Sequence, residues 1–385
     1  MPLQLPPLSL YVHIPWCVQK CPYCDFNSHA LKQEIPESVY VQHLLDDLNH
    51  DLAYLQNNNV QNRKLTSIFI GGGTPSLFSP KAIDTLLKGI QARIEFADDI
   101  EITMEANPGS VEAERFAGYR QAGVNRISIG VQSFNQQQLA ILGRVHNVDE
   151  AKNAATLAHS IHLNSFNLDL MHGLPEQSVE QAMADLQQAI DLNPPHLSWY
   201  QLTIEPNTLF YSKPPTLPED DTLWEIQRRG HQLLKDNGYQ QYEVSAYSKT
   251  GLQCRHNLNY WQFGDYLGIG CEAHGKITLP ETKQIIRTSK VKHPKGYMDL
   301  TKDYLNKKWT VEKDEQAFEY FMNRLRLKAP FSNQEVFERT VLTKQDIEPQ
   351  IEQAINQGLL TDDGKNWQIT TKGTRYLNDL LELFV

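Results

Sequence analysis

Along the first half of the chain, short apolar runs rich in β-branched and aromatic residues alternate with longer stretches whose apolar positions recur at helical spacing. The short runs predict strands over 8–14, 67–70, 100–105, 126–130, 167–171 and 197–201. The longer ones predict helices over 38–55, 81–94, 111–122, 149–160 and 179–192. A strand, a crossover helix and a parallel strand form a right-handed unit, and its repetition builds a parallel sheet or barrel. Six such strands predict a partial (β/α)6 barrel. The repeat is one of structure, with no matching repeat in sequence.

Pro206, Pro214, Pro215 and Pro218 mark the end of this pattern. A further helix is predicted over 220–237. The Tyr- and Gly-rich segment 240–275 is too aromatic for a flexible linker. From 311 to 385 the pattern predicts a small domain with helices over 318–327, 333–339 and 344–356. A hairpin over 359–371 closes it, turning on Asp363-Gly364. Helices followed by a terminal hairpin suggest a winged-helix-like module. The expected division is 1–215 for the barrel, 216–310 for an extension and 311–385 for the C-terminal domain.

A length of 385 residues exceeds the usual single core, in keeping with one large domain and a smaller one. With 40% hydrophobic and 21% charged residues the chain is globular rather than disordered. Its net charge of −10 makes it a poor partner for nucleic-acid phosphates. Residues 311–385 hold 9 Lys and Arg against 13 Asp and Glu, a net of −4, so that module reads as a cover or docking domain. The N-terminal sequence lacks the features of a signal peptide, and no stretch reaches the apolar length of a membrane span. A cytoplasmic protein is expected.

The chain has five cysteines, three of them within eight residues: Cys17-Val-Gln-Lys-Cys21-Pro-Tyr-Cys24. That crowding points to metal ligation in a reducing compartment rather than to disulfides. Three thiolates on one loop can hold three irons of a [4Fe–4S] cube, leaving the fourth open to an amine and carboxylate of a small molecule. A zinc site would need a fourth ligand; Cys254 or Cys271 could add one, but both are far away in sequence. Gly71-Gly72-Gly73-Thr74-Pro75 follows the second predicted strand, where glycines admit a tight turn or close approach to a ligand. Glu105, Gln132, Arg144 and Asp169 fall at or just beyond successive strand ends. Singly each reads as a surface charge or cap; together they would converge on one barrel mouth. Carboxylates and amides suit ribose hydroxyls, and a guanidinium suits a carboxylate.

Tyr11-Val-His-Ile-Pro-Trp-Cys17 with C-x3-C-x2-C resembles the radical S-adenosylmethionine (SAM) superfamily, and within it the oxygen-independent coproporphyrinogen III oxidase-like branch. The resemblance covers nearly the whole chain. It implies a [4Fe–4S] cluster on Cys17, Cys21 and Cys24, and SAM held by Gly72, Gly73, Thr74, Glu105, Gln132, Arg144 and Asp169. Tyr11 and Tyr23 match family positions beside the cluster, where core packing is the plain alternative. The oxidase carries a further cysteine two residues past the third ligand; here that residue is Phe26. The Cys24-Asp-Phe-Asn-Ser28 sequence instead resembles the sister group, the radical SAM haem chaperones. Arg255-His-Asn-Leu-Asn-Tyr-Trp261 contains the H-N-x-x-Y-W signature of that group. The likeness implies haem as cargo, His256 as its axial ligand near the barrel mouth, and apo-haemoproteins, respiratory ones among them, as recipients. Cys271 and His274 are the next candidate ligands. Respiratory clients would bring a peripheral membrane contact. The alternative is a radical enzyme that decarboxylates a porphyrinogen propionate; action on RNA is disfavoured by the acidic charge.

Overall fold

A computed structural model describes residues 2–299, 301 and 303–385. Met1, Leu300 and Lys302, which fall within the expected domain bounds, lie outside the described residues. Six strands run parallel in chain order: β1 (Leu8–Ile14), β2 (Leu65–Gly72), β3 (Phe96–Ala106), β4 (Arg126–Gln132), β5 (Ser165–His172) and β6 (His196–Gln201). Each pairs with the next. Residues 111–122, expected as one helix, form two, Ser110–Glu114 and Phe116–Ala122. The break falls at Arg115, whose guanidinium donates to the Ser76 and Leu77 carbonyls at 3.2 and 3.0 Å.

Strand alternation explains why these runs are strands and not buried helices. In β1, Leu8, Leu10, Val12 and Ile14 are fully buried against the outer helices. The helices from Glu37 to Asn57 and from Pro80 to Gln91 supply the facing apolar stripes, among them Leu44, Leu48, Ile83 and Leu86. The other strand face carries the polar residues. Arg126, Ser128, Gly130 and Gln132 of β4, with Asn167 and Asp169 of β5 and Ser198 of β6, all line one interior cavity.

The segment read only as aromatic and non-flexible builds the rest of the sheet. β7 (Gln240–Gln241) and β8 (Ala246–Ser248) extend the β6 edge. β9 (Asp265–Ile269) pairs parallel with β1, and β10 (His274–Leu279), β11 (Gln284–Lys290) and β12 (Leu305–Thr310) continue antiparallel. The result is one open twelve-stranded mixed sheet, ordered β12-β11-β10-β9-β1-β2-β3-β4-β5-β6-β8-β7. Buried charge pins the added strands. Asp265 takes Arg63 at 2.7 Å and Lys276 at 2.9 Å, and Lys290 reaches Asp47 at 2.5 Å and Asp51 at 2.7 Å.

A second apolar core gathers Tyr320, Phe321, Ile347, Ile351, Trp367 and Phe384. It is built by helices Glu315–Arg324 and Lys344–Asn356 and a three-stranded sheet whose hairpin joins Leu360–Asp362 to Asn366–Ile369. This is the winged-helix-like arrangement that the sequence predicts. No described helix is long and apolar enough to cross a membrane.

Candidate functional site

The cysteine loop leaves β1 at its C-terminal end. It is closed by the short pairing of Trp16–Cys17 with His29–Ala30 and by the Leu31 N–H donating to the Cys17 carbonyl at 2.9 Å. All three thiols are free and line the cavity. Burial pushes the Cys17 and Cys24 thiols up from their ordinary value. Among the described residues, no three His, Cys, Asp or Glu side chains converge tightly enough for one metal ion. A cubane takes each thiolate on a different iron, so this spacing suits a cluster better than zinc.

The glycine motif is clamped against that loop. The Gly73 N–H donates to the Ile14 carbonyl and the Thr74 N–H to the Trp16 carbonyl, both at 2.7 Å. Gly72 has φ +114°, and a Cβ on it would meet the His13 ring at 2.5 Å. A Cβ on Gly73 would lie 2.5 Å from the Trp16 carbonyl oxygen. The Gly72 N–H donates to the Glu105 carboxylate at 3.1 Å. Burial, and then the nearby Asp169 charge, raise the Glu105 carboxyl to about 8.

Arg144 reaches back from beyond β4. It donates to Asn107 Oδ1 at 2.7 Å, to the Gly130 carbonyl at 2.8 Å and to Cys21 Sγ at 3.6 Å. Gln132 has φ +68° and accepts from the Tyr200 hydroxyl at 2.7 Å. Asp169 accepts from Ser128 and Asn167, each at 2.8 Å, and burial raises its pKa. Thr74 and Tyr23 also line the cavity, and the Tyr23 ring leans on Phe210. The cavity measures about 320 Å³, within the range of small-molecule sites. Three thiols, glycines that let a ligand approach the backbone, the Arg144 guanidinium and two carboxyls fit a cluster and SAM.

Tyr11 is not in the cavity lining. Its ring stacks on Phe69 and its hydroxyl bonds His13 Nδ1 at 3.0 Å, so it backs the wall.

The expected place of His256 needs correcting. It sits on the helix Arg255–Trp261, whose start is held by Glu101 of β3. Its Nδ1 bonds Ser67 Oγ at 3.0 Å, its N–H donates to Glu101 at 3.1 Å, and its ring lies 5.2 Å from Phe69. Ser67 is near the start of β2 and pairs with Glu101 of β3, so His256 lies away from the C-terminal strand ends that carry the cysteine loop. Burial, and then the Arg126 charge, lower its pKa to about 3. Cys271 is buried too, its Sγ accepting from the Tyr40 hydroxyl at 3.5 Å, whereas His274 is exposed. Sequence reading missed Asn107, Tyr200, Ser128, Asn167 and Arg126. The usable signal was the run of polar residues at every second strand position.

The Radical SAM superfamily profile matches residues 11–187, and the HemN C-terminal domain profile matches 311–376. The chain is 61% identical to the heme chaperone HemW of Escherichia coli K12 over 383 residues, covering 100% of this chain and 99% of that one. It is 34% identical to the heme chaperone HemW of Bacillus subtilis, covering 76% and 75%. It is 37% identical to a mouse mitochondrial radical S-adenosyl methionine domain-containing protein 1, covering 74% and 64%. The fold is similar to that of the Escherichia coli coproporphyrinogen III oxidase HemN, with a TM-score of 0.82 at 23% identity over 99% of this chain and 90% of that one. The thiol loop, the glycine motif clamped to it and these full-length likenesses together place the chain in the HemW family of radical SAM proteins.

Proposed function

We propose that this protein carries haem and hands it to client haemoproteins, with a [4Fe–4S] cluster and SAM as resident cofactors. The observation that carries the reading is full-length identity of 61% to a heme chaperone, set against a likeness to the oxidase that extends to the fold alone. In the cofactor assignment, Cys17, Cys21 and Cys24 ligate the cluster. Gly72, Gly73, Thr74, Glu105, Gln132, Arg144 and Asp169 hold SAM, with Tyr23 beside it and Tyr11 backing the wall. The cluster when bound supplies redox chemistry and an open iron for SAM. The chain's own part is to orient: Arg144 spans from Cys21 to Asn107, and the glycines, having no side chain, let the ligand approach the backbone closely.

The mouth suits a flat apolar cargo. Phe26 is 62% exposed, Val145 57% and Val18 48%, all three on the cavity rim. Phe26 also stands where the oxidase branch has its further cysteine, which disfavours porphyrinogen decarboxylation. Residues 1–215 carry the cofactors in this reading, 216–310 extend the sheet, and 311–385 act as a cover or docking unit. Apo-haemoproteins, respiratory ones among them, are the recipients, which brings the chain to the cytoplasmic membrane surface.

Anaerobic incubation of reconstituted protein with coproporphyrinogen III, SAM and a reductant, beside a titration of the same protein with haem, tests this. Stoichiometric haem binding without protoporphyrinogen formation is expected. Turnover to protoporphyrinogen would make the protein a decarboxylating radical enzyme instead.

A further inference from the structure

The cavity has a second end. Arg126 opens β4 and faces inward, 3% exposed. Roughly 13 Å of strand separate it from Gly130, whose carbonyl Arg144 holds at the cysteine end. Among the described residues the Arg126 side chain makes no hydrogen bond or ion pair, and its Nε is buried without a partner.

The nearby anions are committed elsewhere. Glu101 accepts from the Arg255 and His256 N–H groups at 3.1 Å and from the Cys254 thiol at 3.5 Å. Asp169 is held by Ser128 and Asn167. The neutral neighbours are committed as well. His196 bonds Asn167 at 2.6 Å and Tyr242 at 2.8 Å, and Ser198 donates to Asn167 at 3.2 Å. Asn257, from the helix Arg255–Trp261, completes the floor.

A guanidinium keeps its proton at any accessible pH, and leaving it buried without a partner is costly. Its planar fork of donors matches a carboxylate. Ser128, Asn167, Asp169, His196 and Ser198 satisfy one another, so the charged group left unspent on the floor is the Arg126 guanidinium, and it lines the same cavity that opens at the thiols.

We propose that the Arg126 end of the cavity is a carboxylate-binding subsite for a second small molecule, separate from the SAM end at Arg144. The proposal does not depend on haem transfer. A short free carboxylic acid and the propionate arm of a tetrapyrrole present the same chemistry to Arg126.

The test uses full-length protein with its cluster reconstituted and SAM saturating. Equilibrium dialysis with labelled propionate should show one saturable site in wild type. The affinity should fall at least tenfold in Arg126→Gln and recover in part in Arg126→Lys, and uncharged propionamide should not compete. Iron content and SAM affinity of the variants should match wild type. Should Arg126→Gln fail to fold, Asn257→Trp, which fills the floor, should abolish propionate binding. Absence of saturable propionate binding in wild type overturns the proposal, as does wild-type affinity in a folded Arg126→Gln. A comparison of haem with its dimethyl ester distinguishes the sources. Preference for the free acid in wild type, lost in Arg126→Gln, assigns the site to a tetrapyrrole arm; equal affinities assign it to a free acid.

Discussion

Replacing Gly73 with alanine isolates the contact between the glycine motif and the cysteine loop. The new Cβ would sit 2.5 Å from the Trp16 carbonyl oxygen, 2.8 Å from its carbon and 3.0 Å from the Trp16 nitrogen. All three are backbone atoms, so no side chain can swing away. Ordinary contact begins near 3.4 Å, so the two segments must part by about 0.9 Å. Overpacking of this kind costs about 1–3 kcal/mol. Parting also stretches the Gly73-to-Ile14 and Thr74-to-Trp16 hydrogen bonds, each worth about 0.5–1.5 kcal/mol net. The expected loss is therefore about 2–4 kcal/mol, read by urea unfolding of the cofactor-free protein. SAM affinity should drop at least tenfold, because Trp16 precedes the first ligand cysteine. Gly238→Ala is the control: its φ is +81° with nothing within 4 Å of a Cβ, so it should cost only about 1–2 kcal/mol and spare SAM binding. Equal effects of the two substitutions, or a Gly73→Ala protein as stable as wild type with full SAM affinity, would refute the steric argument.

Cys17→Ala, Cys21→Ala and Cys24→Ala should each abolish the cluster, while Cys254→Ala and Cys271→Ala keep it; iron and sulfide assays check this. Burial raises the Cys254 and Cys271 thiols to about 12, so in folded apoprotein iodoacetamide should label Cys21 long before either, as mass spectrometry would show. Glu105 titrates near its ordinary 4.5 when unfolded and near 8 when folded. Between those values the folded state holds the extra proton, so this group's contribution to stability is greatest at low pH and falls as pH rises toward 8. Glu105→Gln should flatten that part of the profile in cofactor-free protein; an unchanged slope between pH 5 and 8 would contradict the burial argument. His256→Ala should cost about 1–3 kcal/mol, since it removes a buried hydrogen bond to Ser67 and the ring packed beside Phe69, and leave the haem Soret band in place. A shifted band at full stability would put haem on His256 after all.

The parallel strands were legible because each carries a run of residues with one face for the helices and one for the interior. The cysteine loop was legible because three thiols in eight residues have few other uses. The strands from Asp265 to Thr310 were not, because their pairing is set by non-local charge. Asp265 is matched by Arg63, some two hundred residues earlier, and Lys290 by Asp47. His256 was misplaced for a related reason. Chain order puts it after the barrel, and the long-range bonds to Ser67 and Glu101 are what return the chain to the early part of the parallel strands. The interior face was written in the alternation of Arg126, Ser128 and Gly130, but periodicity alone does not say whether a polar face meets water or a cavity.

Haem transfer can be followed directly. Anaerobically reconstituted protein is loaded with one haem per chain, freed of excess, and mixed with an apo-haemoprotein such as apomyoglobin, with transfer followed at the Soret band. Stoichiometric transfer to the acceptor is expected, while the cluster iron stays with the donor. Haem that never binds beyond nonspecific stacking, or that binds and is not released to any apo-haemoprotein, would contradict it.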